Sequence, residues 1–203
     1  MVDSEEAIIA LVDELQALPT GTSLFIDLEG IGLSRRGSIS LVTIFVQPQN
    51  RVYLVDVHTL QSSAFTKAAA NGITLKIILE AEAVSKIFFD LRNDSDALHH
   101  HFGVRLRGVE DVQLMENAAR PAGRRRFING LERGIDNDAP LSLCQKRDWK
   151  MTKAKGLKLF HPAKGGSYDV FNTRSLDPDM VRYCVNDMQY LTASTEPLLE
   201  EAQ

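Results

Sequence analysis

Cysteine is nearly missing from this chain, with two residues, Cys144 and Cys184, among 203. Two thiols at no metal-type spacing exclude a disulfide framework and a zinc site of paired cysteines, and they point to a reducing compartment. Long hydrophobic runs are missing too. No stretch approaches the roughly 18 apolar residues of a membrane helix, so no membrane association is expected. The opening MVDSEEAIIALVDELQAL lacks the basic start of a secretion signal and the Arg-rich face of a mitochondrial one. An intracellular protein is the expectation, with nucleus and cytoplasm left open. The net charge of −4 excludes a globally basic coat for nucleic acid. No repeat or linker interrupts the chain, which is 44% hydrophobic and 25% charged, the balance of a globular fold with a real core. A single domain over residues 1–203, with its core at about 20–195, is expected.

The mean charge hides a segregation. Between Arg120 and Lys164 stand twelve Lys/Arg against four Asp/Glu, a net of +8, and the rest of the chain carries −12. Such a run reads either as a solvated surface or as a local phosphate-binding wall on an acidic body, because a polyanion responds to the local field.

Hydrophobic spacing predicts a helix over 4–18, with Asp3 or Ser4 as its cap and Pro19 and Gly21 ending it. Three β-rich runs follow, 23–30, 37–47 and 51–57, joined as an antiparallel meander. Helices are expected at 74–83, 93–102 (with Asn93 as cap) and 112–119, and short strands at 86–90 and 108–111. Residues 127–136 and 140–147 read as short helices, and 150–175 as an irregular excursion. The last helix starts at Pro178, capped by Asp177, and runs to about 200. Three strands followed by alternating helices and strands make an α/β protein with a mixed sheet flanked by helices.

Three spacings carry chemistry. In Phe25-Ile26-Asp27-Leu28-Glu29, strand alternation puts Asp27 and Glu29 on one face and Ile26 and Leu28 on the other. Adjacent carboxylates are tolerated there when solvated, paired or holding a cation; a polar strand end is the plainer reading. Asp94 falls in the first turn of the helix after KIFFD, where the helix dipole favours an acid in any case. Tyr183 and Asp187, at i and i+4 of the last helix, share a face distinct from the apolar stripe Val181, Cys184, Val185, Met188 and Leu191. The His99-His100-His101 run is set aside, since consecutive helical residues point about 100° apart and cannot aim at one ion.

Together, Asp27-x-Glu29 on a strand, Asp94-x-x-x-Leu98 after a strand and Tyr183-x-x-x-Asp187 on the C-terminal helix resemble the three motifs of the DEDD 3′–5′ exonucleases. The tyrosine marks the DEDDy branch, which includes ribonuclease D, the Werner-type exonuclease domain and the Egalitarian-like proteins. The stretch NTRSLDPDMVRYCVNDMQYL is similar to that branch, with Arg174-Ser175-Leu176 where an Arg-Pro-Leu-type tripeptide stands. The resemblance implies a ribonuclease H-like fold in which Asp27, Glu29, Asp94 and Asp187 bind two Mg²⁺ or Mn²⁺ ions, with all-oxygen ligands suiting these ions better than zinc. It implies catalytic roles for those four acids and for Tyr183, which would orient the attacking water. A free tyrosine, with a pKa of about 10, is a poor base, so positioning is the safer role.

The implied function is a 3′–5′ exonuclease acting on single-stranded RNA or DNA, or on 3′ ends. The alternative is a nucleic-acid-binding or scaffold module that kept the fold without turnover. Lys155 of the basic segment, Trp149 and Arg174 are candidate substrate contacts. Trp149 and Phe160 either stack on bases or serve as buried anchors, and Arg174 either meets a phosphate or forms a salt bridge. Targeting is expected to come from a protein partner.

Overall fold

The Ser4 hydroxyl accepts a hydrogen bond from the Ala7 N–H and starts helix α1 (Glu5–Gln16), whose Ile8, Leu11, Val12 and Leu15 are buried at helical spacing. The computed structural model describes residues 1–201; the side chains of Asp138, Tyr190, Ala193, Ser194 and residues 196–201 are outside the described set. After α1 come β1 (Leu24–Glu29), β2 (Leu41–Val46) and β3 (Arg51–Asp56). They pair antiparallel, with Phe25 opposite Phe45, Asp27 opposite Thr43, and Thr43 opposite Leu54. Every residue of β2 is buried, as expected of a strand with a neighbour on each side. A 3₁₀ turn, Gln47–Gln49, with Asn50 in the left-handed region, connects β2 to β3.

Two four-residue helices that the hydrophobic spacing does not announce follow β3: α2 (Val57–Leu60) and α3 (Ser63–Thr66). Asp56 caps the first, accepting from the Thr59 N–H at 3.0 Å. Helix α4 (Leu75–Glu80) is capped by Thr74, and β4 (Lys86–Phe88) follows. Helix α5 (Arg92–Phe102) begins one residue earlier than expected; its cap position is Leu91, which makes no side-chain capping bond, so Asn93 lies inside the helix. Gly103, in the left-handed conformation, ends it. Strand β5 (Val109–Asp111) runs into α6 (Val112–Ala119), and the five strands form a mixed sheet in the order β3-β2-β1-β4-β5.

The remaining helices are α7 (Leu131–Asp138), α8 (Leu143–Phe160) and α9 (Pro178–Glu201). Asp177 caps α9 by accepting from the Asp179 N–H at 2.7 Å, with Pro178 in the first turn. The correction is large at α8. The expected short helix at 140–147 and the irregular stretch beginning at 150 are one 18-residue helix. A capping box opens it: Ser142 accepts from the Gln145 N–H, and the Gln145 side chain accepts from the Ser142 N–H.

The chain forms two compact units, Met1–Lys86 with Leu91–Val109, and Ile87–Asp90 with the segment from Glu110 onward. In the second, α8 packs along α9, and α6 and α7 also touch α9. Among the described residues no helix is long and apolar enough to cross a membrane.

Candidate active site

In the first unit, β1 presents the expected face. Leu24, Ile26 and Leu28 are buried, while Asp27 and Glu29 on the other face are half-buried. That face runs from apolar to charged along the strand: Phe25 meets Phe45 with ring centroids 6.1 Å apart, then come Asp27 and Glu29 opposite Thr43 and Leu41. The antiparallel ladder therefore fixes both carboxylates in direction. Gly30 follows immediately, and a Cβ there would strike the Ser38 carbonyl, so the chain can leave the strand only with a glycine. Asp94 lies in the first turn of α5 and is 5% exposed, with Ala97 and Leu98 buried beside it.

In the second unit, α8 and α9 build a small polar site between them. Tyr183 (7% exposed) and Asp187 (5%) share one face of α9. Trp149, Lys153, Gly156 and Phe160 lie along one face of α8 at spacings of four, three and four. The Lys153 ammonium donates to Asp187 Oδ2 at 2.7 Å and lies 4.9 Å from the centre of the Trp149 ring and 5.5 Å from that of Tyr183. The Phe160 ring meets Tyr183 edge-on at 5.2 Å. Gly156 makes the approach possible, since a Cβ there would be 2.6 Å from the Tyr183 ring.

Burial pushes the Asp187 carboxyl above the usual range, against the opposing pull of the Lys153 ammonium and of the Trp149 and Tyr183 donors. Asp187 Oδ1 and the Trp149 indole nitrogen are nevertheless both buried without a hydrogen bond of ordinary geometry. The indole and hydroxyl thus act as dipoles aimed at the acid, and Oδ1 is an orphaned anionic oxygen.

The candidate substrate contacts fare differently. Trp149 is fully buried against Ile135 and Ala139, flanked by Leu131 and Leu141, so its ring is an anchor and is not offered to a base. Phe160 is buried as well, among Tyr168, Phe171 and Tyr183. Arg174 is exposed and donates to the Phe171 and Thr173 carbonyls, bracing the turn before α9. Lys155 is exposed; two residues along a helix turn about 200°, which carries it away from the Lys153 face. Lys153 and Gly156 are the residues that reasoning from motifs passed over. Their signal was their spacing to Trp149 and Phe160, masked because one is charged and the other lacks a side chain.

A family model described as 3′–5′ exonuclease matches residues 1–202. The chain belongs to the 3′–5′ exonuclease family. It is 31% identical to the piRNA biogenesis protein EXD1 of Xenopus laevis over 212 residues, covering 98% of this chain and 44% of that protein. Mouse EXD1 matches at 31% over 122 residues, covering 56% and 20%. The chain thus spans less than half the length of these curated relatives. Among solved structures, Trypanosoma brucei RNase D in complex with RNA U12 superposes with a TM-score of 0.77 at 23% identity, covering 97% of this chain and 61% of that one. Escherichia coli RNase D gives 0.63 at 18%, covering 99% and 44%. These likenesses bear out the expected α/β fold, a mixed sheet flanked by helices.

Divalent metals are general in this exonuclease family. Among the described residues no three His, Cys, Asp or Glu side chains gather into a metal-holding group. Taken one by one, the acids suit a hard cation: Asp27 and Glu29 share a strand face, and Asp187 Oδ1 is a buried oxygen of the kind a cation satisfies. The donor chemistry fits, and Lys153 is its competitor on Asp187.

Proposed function

We propose that this chain is a metal-dependent 3′–5′ exonuclease that hydrolyses phosphodiester bonds from the 3′ end of a single strand, releasing nucleoside 5′-monophosphates. The carrying observation is the orphaned Asp187 Oδ1 one helical turn from Tyr183, in a chain whose β1 aligns Asp27 and Glu29. In this reading Asp27, Glu29, Asp94 and Asp187 would hold two Mg²⁺ or Mn²⁺ ions. When bound, such ions activate a water and stabilise the leaving 3′-oxygen.

The chain's own residues do the rest. The Tyr183 hydroxyl orients the attacking water, and the ring packing of Phe160 and Gly156 keeps that hydroxyl in place. The exposed Arg124, Arg126, Lys155 and Lys158 supply charge for the phosphate backbone. RNA is the favoured substrate, supported by the likeness to EXD1, which is named for piRNA biogenesis. An intracellular location, nuclear or cytoplasmic, goes with the free cysteines Cys144 and Cys184. Targeting would come from a protein partner.

A second reading, binding without turnover, has one observation in its favour: the Lys153 ammonium already engages Asp187. A 5′-labelled oligonucleotide incubated with protein and Mg²⁺ or Mn²⁺ separates the two. A 3′-directed ladder that vanishes with chelator and with Asp27→Ala establishes the enzyme, whereas retention of full-length RNA on the protein in a gel shift establishes the binder.

A further inference from the structure

Lys153 is held as a ligand is held. Its ammonium has a carboxylate oxygen at 2.7 Å and two aromatic faces at 4.9 and 5.5 Å, and its side chain is 19% exposed. A carboxylate joined by two π faces is a receptor for a cation. The neighbouring Lys150 shows what an ordinary pair on this helix looks like: it reaches Asp136 and Glu132 with its side chain 42% exposed. The cage around Lys153 is also built into the packing, because Trp149 and Tyr183 are core residues of the α8–α9 contact.

Asp187 is the acid that the reading above assigns to metal, and the inference rests on that reading. An ammonium at Oδ2 and a divalent ion at Oδ1 of one carboxylate repel each other strongly in a buried setting. A cavity of about 260 Å³, lined by Trp149, Lys153, Leu157 and Lys164, gives the lysine stem room to turn away. Glu132 lines the same cavity together with Lys150, whose ammonium stands 3.6 Å from it, so a displaced Lys153 would share that carboxylate.

We propose that Lys153 is a resident cation of the Asp187 site, which holds that carboxylate when no metal is bound and must leave before a divalent ion takes it. The chain thereby sets its own metal affinity, and a bound metal releases a lysine into the cavity beside α8.

Trp149 is the only tryptophan in the chain, so its emission reports the ammonium next to its ring without interference. The test is a Mg²⁺ titration of the full chain by calorimetry and by Trp149 fluorescence, for wild type, Lys153→Gln and Lys153→Arg, with folding checked by circular dichroism. Lys153→Gln should bind Mg²⁺ about tenfold more tightly, an ordinary size for coupled binding. Lys153→Arg, which keeps a cation on Asp187, should bind no more tightly than wild type. Wild-type emission should change as Mg²⁺ binds, and Lys153→Gln emission should not. Wild type binding Mg²⁺ with steady emission, Lys153→Gln binding equally or more weakly, or Lys153→Arg binding more tightly would each overturn the proposal while leaving the metal reading intact. Absence of Mg²⁺ binding by wild type and by Lys153→Gln alike would remove the metal reading and the proposal with it.

Discussion

Two lysines are drawn inside this chain, one in each unit, and they meet opposite surroundings. Lys86 in β4 is fully buried, and its ammonium donates to one carbonyl, that of Ala81, at 2.6 Å. Burial pushes its pKa down to about 8, with Glu82 pulling the other way. Lys153 in α8 meets a carboxylate and two rings instead. A carbonyl dipole is a weak substitute for the water an ammonium loses, whereas a carboxylate replaces it and is itself neutralised. The comparison separates a lysine that the fold tolerates from one that the fold is built around.

The largest expected effect comes from taking the carboxylate away from the second lysine. Asp187→Ala leaves the Lys153 ammonium inside its aromatic cage without a counter-charge, and breaking a buried pair costs about 3–5 kcal/mol. Asp27→Ala, on a half-exposed face where water replaces what is lost, should cost at least about 1.5 kcal/mol less. Urea unfolding in the presence of chelator measures both. Equal losses would mean that the α8–α9 pair is no more buried, in energetic terms, than the strand end.

Lys86 supplies the pH test. Its folded pKa of about 8 lies below the ordinary value of 10.5, so between those two values the unfolded chain binds more protons than the folded one. Stability should therefore rise with pH across that window, by about 2–3 kcal/mol, with the full cost of the buried charge present below pH 8. Lys86→Met should remove the slope and be more stable than wild type at pH 7. An unchanged slope in the variant would assign it to other groups.

These contrasts bear on what was legible in the residues themselves. β1 was, because alternation alone separates Asp27 and Glu29 from Ile26 and Leu28, and α9 was, because Asp177-Pro178 announces its start. α8 was not. Its inward face reads Trp149, Lys153, Gly156, Phe160, so two of four core-facing positions are a charged residue and a glycine, and the 3.6-residue hydrophobic period vanishes. The role of Trp149 stayed ambiguous for the same reason: a tryptophan in a lysine-rich run fits a base-stacking surface as well as a core. The placement of Asp94 came from motif spacing, whereas its near-complete burial, at 5% exposure, is a matter of tertiary packing that spacing does not carry.

Gly156→Ala probes the closeness that the cage requires. The added methyl meets the Tyr183 ring at 2.6 Å, so either the ring shifts or α8 moves off α9. Overpacking of this kind costs about 1–3 kcal/mol, although alanine gains almost 1 kcal/mol in helix propensity. Thermal unfolding should show the net loss, and Trp149 emission should shift as its neighbour Lys153 is displaced. A variant as stable as wild type with unaltered emission would mean that the two helices have slack between them.

The smallest effect is expected outside the cage, among the cations that the packing leaves at the surface. In the basic segment, Arg120 is tied to Glu116 at 3.0 Å and Lys150 to Asp136 at 2.7 Å. Arg124, Arg125 and Arg126 are exposed, and Arg125 braces the Arg120 carbonyl. If this run follows a single strand, log affinity should fall with log salt by about 0.7 per phosphate contact, so replacing all three arginines with glutamine should flatten the slope by at most about 2. Stability should barely change, because these side chains bury little. An unaltered slope would mean that the strand passes elsewhere, and that the charge of this segment serves the ion pairs between α7 and α8 rather than a substrate.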